Sequence, residues 1–417
     1  MIRLFLSSFA VVLIGTFCAF ASHLILAKIL PAEQYGIFSF ITSVSLLLGV
    51  FSLFGFQNSL SRLIPSLQSK GEAGESPKNL LQFSRRFTVS LACMSGISIY
   101  AILYGTGFTT KYPTESFLIG VALVPLMVLV RLHASMLRGF QKSTLSVLYE
   151  TSLREILFLL IITGSIFLGF QLEAGLQALS FFVVSLLIVA IISAVHLNKL
   201  TQKEKLSGSV SKETTWEWVR LSFPMMLIIF AQRLMRRSDV IILGLMVHPA
   251  LVGAYALIAQ FSDVSAIGQK GIFAVFSSRA AALYQAGSSL ELKVLYRKMQ
   301  ILGILSTALM AVGIALFAFE ALAFFGDDYM VAYQALFILL AGQFINVCFG
   351  PVGVLMIMTA HEKVAMKITM VAALGNLILN PLAIYFYGLE GAATVTAFLL
   401  VLRALASYII VKKEQLL

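Results

Sequence analysis

The chain has 417 residues, of which 59% are hydrophobic and 12% charged, with a mean hydropathy of +0.94. A soluble fold of this length needs more polar surface, and the alternating strands of about ten residues that build membrane β-barrels are absent. The class is therefore an all-α integral membrane protein, and the formal net charge of +11 is accounted for by loop charges without a nucleic-acid partner.

The opening stretch, MIRLFLSSFAVVLIGTFCAFASHLILAKIL, has an apolar run too long for a signal peptide and is followed at once by further spans. It reads as a retained first helix. Runs of about 20 apolar residues, enough to cross a hydrocarbon core of roughly 30 Å, predict twelve spans. They fall at 5–27, 36–61, 82–104, 116–138, 143–168, 175–197, 216–246, 251–281, 297–320, 331–358, 364–387 and 391–411. Cys18, Cys93 and Cys348 lie inside apolar runs and read as small hydrophobes, so neither a disulfide framework nor a metal site is expected. GPVG at 350–353 predicts a bend in the tenth span, and NLILNP at 376–381 one in the eleventh.

The N-terminus, the even-numbered loops and the C-terminus hold 21 of the 30 Lys and Arg residues, against only Lys28 and Lys111 in the odd-numbered loops. That bias places both termini in the cytoplasm. Outward loops are short and carry Glu173, Asp327, Asp328 and Glu390. The longest charged linker, at 199–215, separates a six-helix lobe at 1–198 from a second at 216–417. Trp216 and Trp218 suit an interfacial belt where the second lobe begins.

ILPAEQYGIFSF after the first span matches MVHPALVGAYAL after the seventh, with Gly36 over Gly253. LEAG at 172–175 matches LEGA at 389–392, and both matches share an offset of 217 residues (253 − 36 and 389 − 172). A common offset with six spans per half predicts a parallel internal repeat. Two like bundles around a central site form a transporter architecture, with alternating access as its mechanism.

Seven cations fall within spans: Arg131, Arg154, Arg233, Arg236, Arg237, Lys270 and Arg403. Acids at comparable depth are Glu150, Glu155, Asp239 and Asp263. One cation at the centre of a span costs about 2.5–3.5 kcal/mol even on the lenient insertion scale. Such residues therefore face protein or a wet cavity. Any one of them has a plainer reading as a snorkelling side chain or a structural ion pair, as for Arg154 with Glu150 one turn before it. Arg233, Arg236 and Arg237 share a helix face with Asp239 as the nearest acid. Lys270 and Asp263, seven apart, also share one. An unbalanced guanidinium cluster suits a phosphate better than a lone carboxylate, which predicts an anionic headgroup site. His23 reads as a packed polar residue.

Four stretches carry a family resemblance. They are LILAKILPAEQYGIFSFITSVSLLLGVFSLFGFQNSLSRLIPS at 24–66, LRGFQK at 137–142, RSDVIILGLMVHPALVGAYALIAQFSDV at 237–264, and GQFINVCFGPVGVLMIMTAHEKVAMKITMVAALGNLILNPLAIYFYGLEGAA at 342–393. In them the sequence resembles the polysaccharide transporter family, which includes the O-antigen and lipid-linked oligosaccharide flippases of the multidrug/oligosaccharidyl-lipid/polysaccharide exporter superfamily. The resemblance implies two lobes, a rocker-switch cycle and a cationic cavity. It also implies movement of a polyprenyl-pyrophosphate oligosaccharide across the cell inner membrane, as in lipopolysaccharide and other polysaccharide biosynthesis. Membrane lipids, and other membrane proteins of polysaccharide assembly, are the implied partners. No cofactor is expected beyond a coupling ion, H+ or Na+, for which Asp239, Asp263 and Glu155 are candidates. The alternative is an ion-coupled exporter of the multidrug and toxin extrusion type, which the first span disfavours by holding neither Asp nor Glu. Lipid II flippases usually carry two further spans, and a membrane enzyme would need a larger outward loop.

Overall fold

In the computed structural model the described residues are 2–70, 76–107, 111–170, 172–202 and 212–414. All regular structure among them is helical. Among the described residues eight helices are long and apolar enough to cross a membrane, or up to 10 when two bent pairs each count as one span. The chain forms two compact units, Met1–Arg233 and Leu234–Leu417.

The first unit comprises α1 (Ile2–Ile29), α2 (Ala32–Ser52), α3 (Phe56–Lys70), α4 (Pro77–Gly105), α5 (Thr114–Gly139), α6 (Ser143–Val147), α7 (Leu153–Phe167), α8 (Gly175–Thr201) and the first part of α9 (Lys212–Met246). Helix α5 is its centre, packed against α2, α3, α4 and α8. Every residue from Val130 to Leu137 is buried, so this stretch is enclosed all round rather than along one stripe. Its polar residues must therefore find partners inside the protein. His133 Nδ1 lies 2.9 Å from Ser193 Oγ, and Ser135 donates to the Gln57 carbonyl at 2.7 Å.

Two expected spans are interrupted here. That at 36–61 breaks between α2 and α3, where Phe54 (φ 48°) and Gly55 (φ 81°) turn the chain. A Cβ on Gly55 would lie 2.1 Å from the Ser222 carbonyl oxygen, so the break is where α9 presses in. Ser222 Oγ also donates to Ser59 Oγ at 2.7 Å. These contacts bind the start of α9 to α3 within the first compact unit. Of the linker at 199–215, residues 203–211 lie outside the described residues. The span at 143–168 contains a π-turn, Leu148–Ser152, between α6 and α7. There Ser152 Oγ donates to the Val11 carbonyl at 2.6 Å, against the bare face of Gly15.

The second unit holds the rest of α9, α10 (Pro249–Ser265), α11 (Ile267–Gln285), α12 (Ser289–Leu316), α13 (Ala318–Phe325), α14 (Asp327–Met330), α15 (Tyr333–Cys348), α16 (Val352–Met358) and α17 (Glu362–Lys413). Phe276, Tyr296, Leu355, Met356 and Val411 form one of its buried clusters. The expected span at 251–281 is bent by 42° between α10 and α11, and the tenth span by 44° between α15 and α16, at the GPVG stretch. Pro381 sits inside α17 without breaking it; the break falls at Gly388 (φ 56°, ψ −130°) instead. There the chain doubles back: a Cβ on Gly391 would meet the Ala383 carbonyl at 2.1 Å, and one on Gly375 would meet Leu399. The spans expected at 364–387 and 391–411 are the two arms of this hairpin.

The internal repeat is visible in the helix boundaries. Helix α1 ends at Ile29 and α9 at Met246, while α2 starts at Ala32 and α10 at Pro249. The differences, 246 − 29 and 249 − 32, are both 217. Two local expectations change, those for the tryptophans and the cysteines. Trp218 is buried against Phe83, with ring centroids 5.7 Å apart, whereas Trp216 is exposed. Of the cysteines only Cys18 is buried, and Cys93 and Cys348 are half-buried. The His23 ring is held by the Tyr35 hydroxyl at 2.9 Å.

Candidate functional site

Within the first unit Gln57, Asn58, Arg131, Arg138, Glu150, Ile229 and Arg233 line a cavity of about 180 Å³. At about 30 Å³ per water molecule it has room for roughly six waters or a small anion. Helix α3 supplies the two amides, α5 two arginines, the π-turn the acid, and α9 the third arginine. Arg131 and Arg138 are seven residues apart, so they share a face of α5 about 10 Å apart along its axis.

The three guanidinium groups differ in how they are held. Arg138 is paired to the Glu150 carboxylate and donates to Ser146 Oγ at 3.1 Å and to the Gln57 carbonyl at 3.3 Å. Arg131 is only 8% exposed, and among the described residues no hydrogen bond or ion pair to it is found. The positive charges of Arg233 and Arg154 act on it, and Glu150 opposes them. A buried cation in the field of two other cations, with one shared acid, leaves the cavity with an excess of positive charge.

The sequence reading missed Arg138, the last residue of the expected fourth span and one of the 21 cations counted with the loops and termini, and with it Gln57 and Asn58. The signal was the short turn at 140–142, where Gln141 takes a positive φ of 60° and brings the end of α5 back toward Glu150. The expected Glu150–Arg154 pair is not formed. A π-turn carries an extra residue per turn and breaks the i, i+4 alignment, so Arg154 pairs instead with its neighbour Glu155. Its guanidinium also stacks over Phe182, 5.3 Å from the ring centroid.

Arg233, Arg236 and Arg237 do not converge. Arg233 lines the first-unit cavity, while Arg236 reaches Asp263 on α10 at 2.8 Å. Arg237 is half-buried and its charge acts on Asp239. The spread follows from helix geometry, since i, i+3 and i+4 positions fan across a face rather than stack on one line. Arg403 is half-buried and lies in the field of Arg236. Asp263 is engaged by Arg236, and the bend at Ala266 ends the face it was expected to share with Lys270. The side chain of Lys270 lies outside the described residues.

Asp239 has different partners from those expected. Its carboxylate accepts from the Val240 N–H at 2.8 Å and from the Tyr255 hydroxyl at 3.0 Å. Ser238 beside it donates to Asn376 Oδ1 at 2.8 Å, and Asn380 Nδ2 donates to the same oxygen. Asn376 Nδ2 and Asn380 Oδ1 are buried without a partner among the described residues, and the Thr396 side chain meets the Tyr255 hydroxyl. The result is a buried, incompletely satisfied polar cluster inside an apolar unit.

A family model described as a polysaccharide biosynthesis protein matches residues 2–278. The chain belongs to the polysaccharide biosynthesis protein family. No curated protein matches it in sequence. In fold, this polysaccharide biosynthesis protein is similar to an inward-facing multidrug resistance MATE family transporter of the MOP superfamily. The TM-score is 0.74 at 14% identity, over 96% of this chain and 94% of the other. It is also similar to the lipid II flippase MurJ in an inward closed conformation, with TM-score 0.70 and 14% identity over 100% and 89% of the two chains. A MOP superfamily transporter from Pyrococcus furiosus, described as having a binding pocket of reverse polarity, gives TM-score 0.59 at 13% identity over 99% and 95%. The fold of this family member is thus a multi-span transporter fold. Its three-arginine cavity lies within the matched stretch.

Proposed function

We propose that the protein is a flippase that carries a lipid-linked oligosaccharide, a polyprenyl-pyrophosphate glycan, across the cytoplasmic (cell inner) membrane by alternating access, without catalysing a covalent step. The observation that carries this reading is Arg131, a nearly buried guanidinium with no bonded partner among the described residues, in a cavity that also presents Arg138 and Arg233. Diphosphate matches that arrangement because guanidinium forks bind phosphate oxygens in pairs. The family match and the fold shared with a lipid II flippase support the same substrate class. Twelve spans with both termini in the cytoplasm, and lobes meeting at the 199–215 linker, complete the reading. The multidrug exporter alternative shares the fold, but a three-guanidinium cavity repels the cations such exporters take.

The decisive experiment removes the protein from its cell and analyses lipid-linked glycans. Accumulation of a polyprenyl-pyrophosphate oligosaccharide on the cytoplasmic leaflet is the expected result. Unchanged glycans with altered drug sensitivity would move the assignment to the exporter class.

Coupling to an H+ or Na+ gradient is part of the proposal, and Asp239 is the acid best placed for it. Glu155 and Asp263 are each tied to an arginine, whereas the bonded partners of Asp239 are an amide and a hydroxyl. In proteoliposomes, Asp239→Asn should bind substrate like the parent yet lose at least tenfold in gradient-driven uptake, the typical effect of removing one essential charged partner. Full gradient dependence in that variant would exclude Asp239 from coupling.

A further inference from the structure

The acid in the arginine cavity needs its own explanation. A site built only to attract an anion would omit Glu150, because a carboxylate there repels the ligand. A purely structural acid would satisfy the arginine that most needs it, the buried Arg131. Glu150 does neither. It pairs with Arg138, the most accessible of the α5 arginines, and reaches Arg131 only through its field. Arg138 has two further acceptors, Ser146 Oγ and the Gln57 carbonyl, so it stays anchored when the carboxylate leaves.

Its backbone position is equally particular. Glu150 is the middle residue of the π-turn Leu148–Ser152. A π-turn holds one residue too many for the helix, and its relaxation to α-geometry rotates the following positions by roughly 100° about the axis. The turn is held to α1 by Ser152 and to α8 by the Tyr149 hydroxyl, 3.2 Å from His196 Nδ1, whereas the half-buried Glu150 side chain between them is tied by its ion pair to Arg138. The acid is thus mounted on an irregular turn of the unit, with one ion-pair partner that can accept a substitute.

We propose that Glu150 is a built-in stand-in for the substrate's phosphate. It occupies Arg138 while the cavity holds no ligand, and it is displaced when an organic diphosphate brings its own oxygens to Arg138, Arg131 and Arg233. This rests on the anion-site reading above and adds regulation to it. The exchange keeps an acidic partner on Arg138 in both the empty and the loaded state. Because Glu150 competes for Arg138, it also weakens binding enough for the ligand to leave after crossing. Glu150 is on this account a positioning residue, and its removal tightens binding rather than loosening it.

The test uses the purified full chain in lipid nanodiscs, with inorganic pyrophosphate and geranyl diphosphate as probes in equilibrium binding. Glu150→Gln should bind geranyl diphosphate about tenfold more tightly, since a like charge within the site is removed. Its transport in proteoliposomes should show lower KM and lower kcat together. Glu150→Asp, which keeps the charge and guards against misfolding, should stay within about threefold of the parent's affinity. Arg138→Gln should bind more weakly than the parent.

If Glu150→Gln binds as weakly as Arg138→Gln, the acid merely props up its arginine and the proposal is overturned. If Arg131→Gln and Arg233→Gln bind both probes like the parent, the cavity is not the anion site, and the headgroup reading falls together with the stand-in. Tightening for both probes places the recognition in the diphosphate itself. Tightening for pyrophosphate alone keeps the displacement but assigns it to a free anion instead of a lipid headgroup.

Discussion

Arg131→Gln is expected to weaken binding of a lipid diphosphate about a hundredfold and, at the same time, to raise the melting temperature. The first effect follows from losing a charge-assisted contact pair worth about 3 kcal/mol in a desolvated site. The second follows from the residue's surroundings. Arg131 sits inside the fully buried stretch of α5, has no bonded partner among the described residues, and lies in the field of two other arginines. An isolated buried charge is costly to fold around, so replacing it with a neutral amide should recover about 1–2 kcal/mol, or a few degrees in Tm. Binding titrations and thermal melts on the same preparations check both halves. A fall in both affinity and Tm would mean that Arg131 is a structural charge and that its site role is secondary. Opposite movement of stability and function marks a residue kept for binding.

The sequence made the class, the repeat and the sign of the interior readable, because each rests on sums over many residues. Composition required a membrane, and a net excess of cations such as Arg131 and Arg233 within apolar runs called for an anion. The specific partners were not readable, and the reasons are local. Arg138 counted with the loop cations because the turn at 140–142 interrupts the apolar pattern just after it. Only the fold shows that this turn lies against α3, with Gly139 so close to Ile64 that a Cβ would lie 2.5 Å from its Cδ1. Glu150 was matched to Arg154 on ideal helix spacing, and one π-turn was enough to change its partner. Asn376, Asn380 and Tyr255 carry no formal charge, so nothing in the sequence marks them, although they surround Asp239 and its neighbour Ser238. Pairwise geometry inside spans depends on breaks such as Gly55, Ala266 and Gly388, which hydropathy averages away.

Gly55→Ala is expected to be the most destabilising single-methyl change in the first unit, and to damage the cavity without touching it. Two costs add. At φ 81° any side chain is strained, by about 1–2 kcal/mol. Beyond that, the new Cβ would lie 2.1 Å from the Ser222 carbonyl oxygen and 2.8 Å from the Met226 nitrogen. Both are backbone atoms of a regular helix, so no rotamer can relieve the collision and α9 itself must move. Overpacking of this kind costs about 1–3 kcal/mol more, for a total of about 3–5 kcal/mol. The Ser59–Ser222 hydrogen bond of 2.7 Å opposes any displacement of α9 at its start. Ile229 lies one turn past Met225 and Arg233 one turn beyond that, both on the cavity wall. A shift of about 1 Å in α9 therefore carries the third arginine away from the other two, and substrate affinity should fall at least tenfold. Gly169→Ala is the matched control, since Gly169 has φ 79° but nothing within 4 Å of its Cβ position. It should lose only the strain of about 1–2 kcal/mol and keep normal binding. Equal Tm losses in the two variants would show that the approach of α9 to the α2–α3 break contributes nothing, and that the position of Arg233 is set elsewhere.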